Sequence, residues 1–270
     1  MSELISLRSR LALHALTGAT RLRARGRPWS YGGALIAAAA VGALTPGELR
    51  SGVMAAWELW DPADIGECTL MEWERHLLDR HVPPRSRLLI IGSGLGRDLV
   101  GYASLGHHVT GIEPAPIAAR ASLTTLRERG LDGCVIQGFA EDVEIEGTFD
   151  VAIFSYFCYG YIPVDERRIA LLKKLRPYVA DGGSVVLTYN GRQRFTLAPL
   201  TRLAAWMCGS PWRPTAGDVV YLTGRVAAPF VTEHLFEDEE IAEEAMRAGY
   251  QAEIHGAVGE VRLALLRPHS

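Results

Sequence analysis

The chain has 270 residues, 48% of them hydrophobic, with 28 Lys and Arg against 31 Asp and Glu for a net charge of −3. This length has ample room for a core and fits one large domain or a domain with a cap. The charge is uneven: residues 1–60 hold seven Arg against Glu3, Glu48 and Glu58, leaving −7 on the remainder, a balance poorly suited to gripping a phosphate backbone.

Residues 3–25 place Leu4, Leu7, Leu11 and Ala15 on one helical face, with Arg8, Arg10, Arg21, Arg23 and Arg25 elsewhere. A basic amphipathic helix of this kind lies on an anionic membrane surface, or docks on the protein or another subunit. Arg27-Pro28 breaks the pattern, and a short Ala-rich helix is expected over about 33–43. The apolar run there is about a dozen residues, short of the ~20 that span a bilayer. It also lies far from the start for a signal peptide, so a cytoplasmic protein is expected, with the inner membrane surface as a peripheral location. Thr45-Pro46-Gly47-Glu48 reads as a helix start, with Thr45 as cap and Pro46 in the first turn. Residues 48–81 are mostly helical in pattern and contain Trp57, Trp60 and Trp73, before Pro83-Pro84 marks a boundary. The expected division is therefore an accessory helical segment, 1–82, and a second domain, 83–270.

Leu88 to Ile91 is a short apolar run of the kind that forms a buried parallel strand. It leads into Gly92, Gly94 and Gly96, and then into an amphipathic stretch at Leu99, Tyr102, Ala103 and Leu105. Strand, glycine turn and helix make the first unit of a nucleotide-binding α/β sheet, with backbone N–H groups offered at the helix start. A dinucleotide fingerprint places its third glycine five residues after the first. Here it comes after four, and Arg97 holds the place that fingerprint gives to glycine, which counts against a nicotinamide-dependent oxidoreductase. A second strand, His108 to Ile112, ends in Glu113, whose carboxylate suits the two hydroxyls of a ribose. The combination favours an adenosyl ligand without a diphosphate.

Farther on, Ile169, Leu172, Leu175 and Val179 form a helical stripe, and Asp181-Gly182-Gly183 a turn. Between Tyr189 and Phe236 lies an insertion of more than forty residues, with Trp206, Trp212, three prolines and an expected hairpin around Thr223-Gly224. Loop regions of that length in compact domains are usually functional. A helix over 237–248 and strands over 250–255 and 261–266 complete the chain. Cys68, Cys134, Cys158 and Cys208 form no C-x-x-C or Cys/His cluster, so neither a metal site nor a disulfide framework is indicated.

Several of these motifs, in order over about residues 85–267, resemble the class I S-adenosylmethionine-dependent methyltransferases. They are Ile-Gly-Ser-Gly-Leu-Gly-Arg-Asp (91–98), Val-Thr-Gly-Ile-Glu-Pro (109–114), Gln-Gly-Phe-Ala-Glu-Asp-Val (137–143), Phe-Asp-Val-Ala-Ile-Phe-Ser-Tyr (149–156) and the stretch 175–189. The resemblance implies a doubly wound, seven-stranded, mostly parallel α/β sheet with an antiparallel final strand, and N-terminal helices forming a cap. It implies S-adenosylmethionine as cofactor, held by Gly92, Ser93, Gly94, Gly96, Asp98, Glu113, Pro114, Phe139, Ala140, Glu141, Ser155 and Tyr156. The family often has Gly-Asp-Ala where this chain has Gly138-Phe139-Ala140, so Glu141, Asp142 or a stacked Phe139 takes the adenine.

Methyl transfer is an in-line displacement whose main needs are alignment and exclusion of water. Tyr156, Tyr159 and His234 are the catalytic candidates, with Glu72 and His76 weaker ones. The aromatic content of Trp57, Trp60, Tyr156, Tyr159, Trp206 and Trp212 favours a small hydrophobic or aromatic acceptor methylated on O or N. The alternatives are a lipid or membrane-delivered acceptor and a non-catalytic cofactor-binding or interaction protein. Nucleic acid is not expected.

Overall fold

The computed structural model describes residues 7–59, 68–192, 197–223 and 230–269. These fall into two compact units, and neither is one contiguous segment. A sheet unit is drawn from Trp60–Tyr159, Asp165–Gly191 and Phe236–Ser270, and a helical unit from Met1–Leu59, Gly160–Val164 and Arg192–Leu235.

In the sheet unit, helix α4 (Glu72–His81) precedes strand β1 (Arg87–Ile91). The chain continues through α5 (Arg97–Ser104), β2 (His108–Glu113), α6 (Pro116–Glu128), β3 (Gly133–Gln137), β4 (Phe149–Phe154), α7 (Asp165–Leu175) and β5 (Val179–Tyr189). After the helical unit's last segment come α9 (Asp238–Arg247), β8 (Tyr250–Val258) and β9 (Val261–Pro268). The seven strands are ordered β3-β2-β1-β4-β5-β9-β8. β1 runs parallel to both β2 and β4, while β9 is antiparallel to β5 and β8. This is the expected doubly wound sheet with its antiparallel last strand. Strand order reverses between β1 and β4, and in open α/β sheets ligands bind outside the carboxyl ends at such a switch point.

The apolar run of β1 has a plain cause: Leu88, Leu89, Ile90 and Ile91 are all buried, because both faces of a central parallel strand are covered. Leu88 and Ile90 pack with Leu99, Tyr102, Val151 and Val186 in one core. Trp73 and Leu77 of α4 belong to that same core. α4 is thus part of the sheet unit, whereas the sequence reading grouped it with the accessory segment 1–82; Trp73 is a packing residue there.

The helical unit contains α1 (Leu7–Arg23), α2 (Arg27–Gly42), α3 (Pro46–Trp57), α8 (Ala198–Met207) and the antiparallel strands β6 (Asp218–Leu222) and β7 (Phe230–His234). Leu16, Ala19, Ala37, Val41, Leu49, Trp212 and Phe230 form its core. The N-terminal helices and the long insertion, remote in sequence, therefore share one interior. α1 docks through Ala12, Leu16 and Ala19, and Leu7 and Leu11 of the expected stripe are exposed; Leu4 lies outside the described residues. Arg27-Pro28 opens α2 rather than interrupting a helix, since a proline in the first turn lacks only an N–H that has no partner there. Thr45 caps α3: its hydroxyl accepts from the Glu48 N–H at 3.3 Å and Glu48 accepts from the Thr45 N–H at 2.8 Å. The expected hairpin falls between β6 and β7, with Gly224 outside the described residues.

Candidate functional site

The turn after β1 uses its three glycines for different reasons. All have positive φ: 75° at Gly92, 54° at Gly94 and 89° at Gly96. A Cβ on Gly92 would lie 2.9 Å from the Cys158 side chain, and one on Gly96 would strike Ser122. At Gly94 nothing among the described residues stands within 4 Å of that position, so the backbone there is open to a ligand. The N–H groups of Gly92 and Ser93 donate to the Ile112 carbonyl, which ties the turn to β2. The Ser93 hydroxyl is buried against Gly111 with no hydrogen-bond partner among the described residues, so its side chain points into the fold.

Glu113, at the end of β2, is 4% exposed. Its Oε2 accepts from the Gly94 N–H and its Oε1 from the Ala115 N–H, both at 2.8 Å. Burial pushes its carboxyl up to about 7, against the pull of those two N–H donors. The carboxylate fixes the open part of the glycine loop and keeps lone pairs for further donors. Pro114 follows it, half-buried.

Asp98, in the first turn of α5, is buried and accepts from the Ser155 hydroxyl at 2.5 Å. Burial, with the Glu74 charge beside it, raises its carboxyl to about 6. Ser155 begins the turn after β4, and the next two residues, Tyr156 (φ 29°) and Phe157 (φ 66°), are both left-handed. Aromatic residues rarely adopt that conformation. The surroundings hold it: the Ser155 N–H donates to the Ile91 carbonyl at 2.9 Å, and the Phe157 N–H donates to Thr188 Oγ1 at 2.8 Å. Strain of this kind concentrates at functional sites. The turn leaves Tyr156 40% exposed, its ring 4.5 Å from that of Phe157.

The third side of the site is the 138–143 segment. The Gly138 N–H donates to the Glu113 carbonyl at 3.0 Å. Ala140 is buried, and Phe139 and Glu141 are half-buried. Lys174, unremarked in the sequence, donates to the carbonyls of Ala140, Glu141 and Val143 and pins this segment. A lysine on a surface helix gives no sequence signal for that role, because its three partners lie some thirty residues away.

The two other catalytic candidates are both buried in their own units. Tyr159 is fully buried; its hydroxyl donates to Glu244 Oε2 at 2.6 Å, and its ring packs on Phe236 and Phe154. Burial, reinforced by the Glu244 charge, holds that phenol far above its ordinary value. It is a core residue, turned inward because the tight turn at 155–158 reverses the chain between Tyr156 and Tyr159. His234 lies in the helical unit, at the end of β7. It is buried, with Nδ1 3.0 Å from Asp218 Oδ1 and the opposite ring edge against Gly217. α9 begins after it, on a capping box of Glu237 and Glu240. Glu72 is exposed on α4, and His76 is half-buried. Of the expected aromatic residues of a cap, Trp57 meets the Tyr161 ring at a tilt, 5.8 Å between centroids, Trp212 is core, Trp206 is exposed, and Trp60 lies outside the described residues.

No protein-family model matches the chain. A curated relative, the ribosomal RNA small subunit methyltransferase G of Mycolicibacterium smegmatis, is 31% identical over 152 residues, 51% of this chain and 58% of that protein. The chain thus spans little more than half the length of that relative. Among solved structures, the CcbJ methyltransferase from Streptomyces caelestis is similar with a TM-score of 0.59 at 14% identity, covering 82% of this chain and 98% of that one. An S-adenosylmethionine-dependent methyltransferase from Bacteroides fragilis, in complex with S-adenosyl-L-homocysteine, has a TM-score of 0.58 at 16% identity, covering 77% of this chain and 81% of that one.

Proposed function

We propose that this chain, whose fold is that of the class I S-adenosylmethionine-dependent methyltransferases, transfers a methyl group from S-adenosylmethionine to an O or N atom of a small hydrophobic or aromatic acceptor. The observation that carries the reading is one convergence at the carboxyl ends of β1, β2 and β4. The open backbone at Gly94 follows β1 and the strained, exposed Tyr156 follows β4, the two strands of the switch point, and the buried Glu113 carboxylate ends the adjoining β2 and binds Gly94.

The residues suit the cofactor. Glu113 accepts from the ribose hydroxyls with the lone pairs its two backbone donors leave free. Gly92, Gly94 and Gly96 shape the passage for its amino-acid portion, and the segment holding Phe139, Ala140 and Glu141 borders the adenine. Bound S-adenosylmethionine supplies an electrophilic methyl group on a sulfonium. Tyr156, the exposed ring of that turn, offers an aromatic face of the kind that attracts a sulfonium and suits an apolar acceptor, while Phe157 beneath it is core. Asp98 holds the Ser155 hydroxyl and with it the start of that turn. In-line transfer asks little acid–base help, and the chain's contribution is alignment and exclusion of water.

A small acceptor is favoured over RNA by charge. The relative named above acts on ribosomal RNA, but residues 61–270 of this chain carry a net −7, a field that repels a phosphate backbone.

Isothermal titration with S-adenosylmethionine and S-adenosyl-L-homocysteine, with NADH as control, tests the cofactor. Micromolar binding of both adenosyl ligands, lost in Glu113→Ala, is expected. A folded sample silent toward both overturns the reading. Methyl transfer from labelled cofactor to panels of phenols, amines and ribosomal RNA then tests the acceptor class, and transfer to RNA alone overturns the small-acceptor proposal.

A further inference from the structure

α2 is apolar on both sides. Its inner face packs through Gly33, Ala37, Ala40 and Val41; Gly33 lies so near α1 that a Cβ there would stand 2.6 Å from the Ala19 carbonyl oxygen. Its outer face carries Trp29, Tyr31, Leu35 and Ile36, which are 53, 73, 49 and 38% exposed. At about 100° per residue these four share one half of the helix, and no charged residue occurs between Arg27 and Glu48 to interrupt them. A helix apolar all round is normally covered all round, and a solvated monomer rarely shows a contiguous apolar patch of this kind. α8, which meets α2 at Gly42, adds exposed Leu203, Trp206 and Met207.

Charge names the occupant. Residues 7–47 contain six Arg and neither Asp nor Glu. Arg21, Arg23 and Arg25 are exposed at the end of α1 and the turn into α2, next in the chain to Trp29 and Tyr31. Guanidinium groups, interfacial aromatic rings and an apolar helix face in succession match the phosphates, headgroup level and acyl boundary of an anionic bilayer. A second copy of the chain fits poorly, because a two-fold interface on this face would set the same arginines against each other. With 16 residues, α2 is about 24 Å long, short of a ~30 Å hydrocarbon core, so it lies in the surface rather than across it.

We infer that the outer face of α2, with the arginines at the α1–α2 turn, seats the protein on an anionic lipid bilayer. The sequence pattern pointed to the Leu7–Leu11 side of α1; the exposed apolar surface is larger on α2. The inference rests on the surface of the helical unit and not on methyl transfer.

Co-sedimentation of the full chain with phosphatidylcholine vesicles, with and without phosphatidylglycerol, tests it. Binding is expected with phosphatidylglycerol, and weaker by about tenfold or more without it or in high salt. Tyr31→Glu with Leu35→Glu, both exposed, should abolish sedimentation while leaving circular dichroism and S-adenosyl-L-homocysteine titration unchanged. Absence of vesicle binding by the wild type, or undiminished binding by the variant, overturns the inference. So does a dimer in sedimentation velocity that the variant dissociates, since a second copy then occupies the face. Titration of the adenosyl ligand on the same samples keeps the two readings apart: silence there with intact vesicle binding sinks only the enzyme.

Discussion

Arg97 and Glu74 form a two-point ion pair across 23 residues of chain, Nη1 to Oε2 at 2.7 Å and Nη2 to Oε1 at 2.6 Å. Glu74 is fully buried, and its Oε2 also accepts from the Met71 N–H at 2.6 Å. Arg97 donates further to the Thr69 carbonyl at 2.9 Å. The position that a dinucleotide fingerprint reserves for glycine is thus used to fasten α4 to the start of α5.

Removing one partner leaves the other without compensation, so Glu74→Gln should cost about 2–3 kcal/mol, less than a fully buried pair because Arg97 keeps some solvent. Replacing both, with Glu74→Leu and Arg97→Met, should cost less than the single change. Urea unfolding midpoints at constant m-value check both expectations.

Glu113 makes cofactor binding depend on pH. Its carboxyl stands near 7 in the fold and 4.5 in the unfolded chain, so the native state binds more protons between those values. Stability from this group is therefore present below about 4.5 and is lost as pH rises through about 7. Ribose hydroxyls prefer the ionised form, so affinity for S-adenosyl-L-homocysteine should climb by up to about tenfold per pH unit below 7 and level off above it. Titration calorimetry from about pH 5.5 to 8.5, roughly one and a half units either side of the midpoint, reads the slope. Glu113→Gln should flatten it.

The glycines separate folding from binding. Gly96→Ala drives a Cβ into Ser122 and should unfold the loop or cost more than about 3 kcal/mol. Gly94→Ala has free space, so only backbone strain of about 1–2 kcal/mol opposes it. If the ligand passes over Gly94, that variant keeps its fold and loses affinity; thermal unfolding with and without S-adenosyl-L-homocysteine distinguishes the cases.

Tyr156 and Tyr159 should part company. Tyr156→Gly relieves a left-handed residue and should raise stability by about 0.5–1 kcal/mol while lowering kcat/KM at least about tenfold. Tyr159→Phe removes the hydroxyl that meets Glu244 and should destabilise by about 1–3 kcal/mol with kcat/KM unchanged. Equal activity losses in both variants would contradict the assignment.

What the sequence disclosed follows from the range of each signal. The β1 run, the glycine turn and Glu113 lie within 27 residues and obey local rules of period and backbone freedom, so strand, turn and acid were all readable. Arg97–Glu74 and the three carbonyls on Lys174 have no local pattern, since each joins segments that only the fold brings together. Tyr156 and Tyr159 sit three positions apart, and nothing in their order tells which one the left-handed turn sends inward. The helical unit has no local boundary signal for the same reason: its interior is shared by segments far apart in the chain. His234 has no local signal for its partner either: it ends β7 beside Asp218, sixteen residues back, while the acids after it cap α9 through Glu237.

That shared interior imposes an order on synthesis. Leu16, Ala37, Val41 and Leu49 leave the ribosome well ahead of Phe230, which completes their core and follows Leu49 by about 180 residues, or roughly 10–40 s at ordinary elongation rates. Through that interval the sheet strands β1 to β5 emerge between two halves of an unfinished neighbour. The nascent N-terminal helices thus have a window in which chaperones or a lipid surface meet apolar faces that the mature unit later hides.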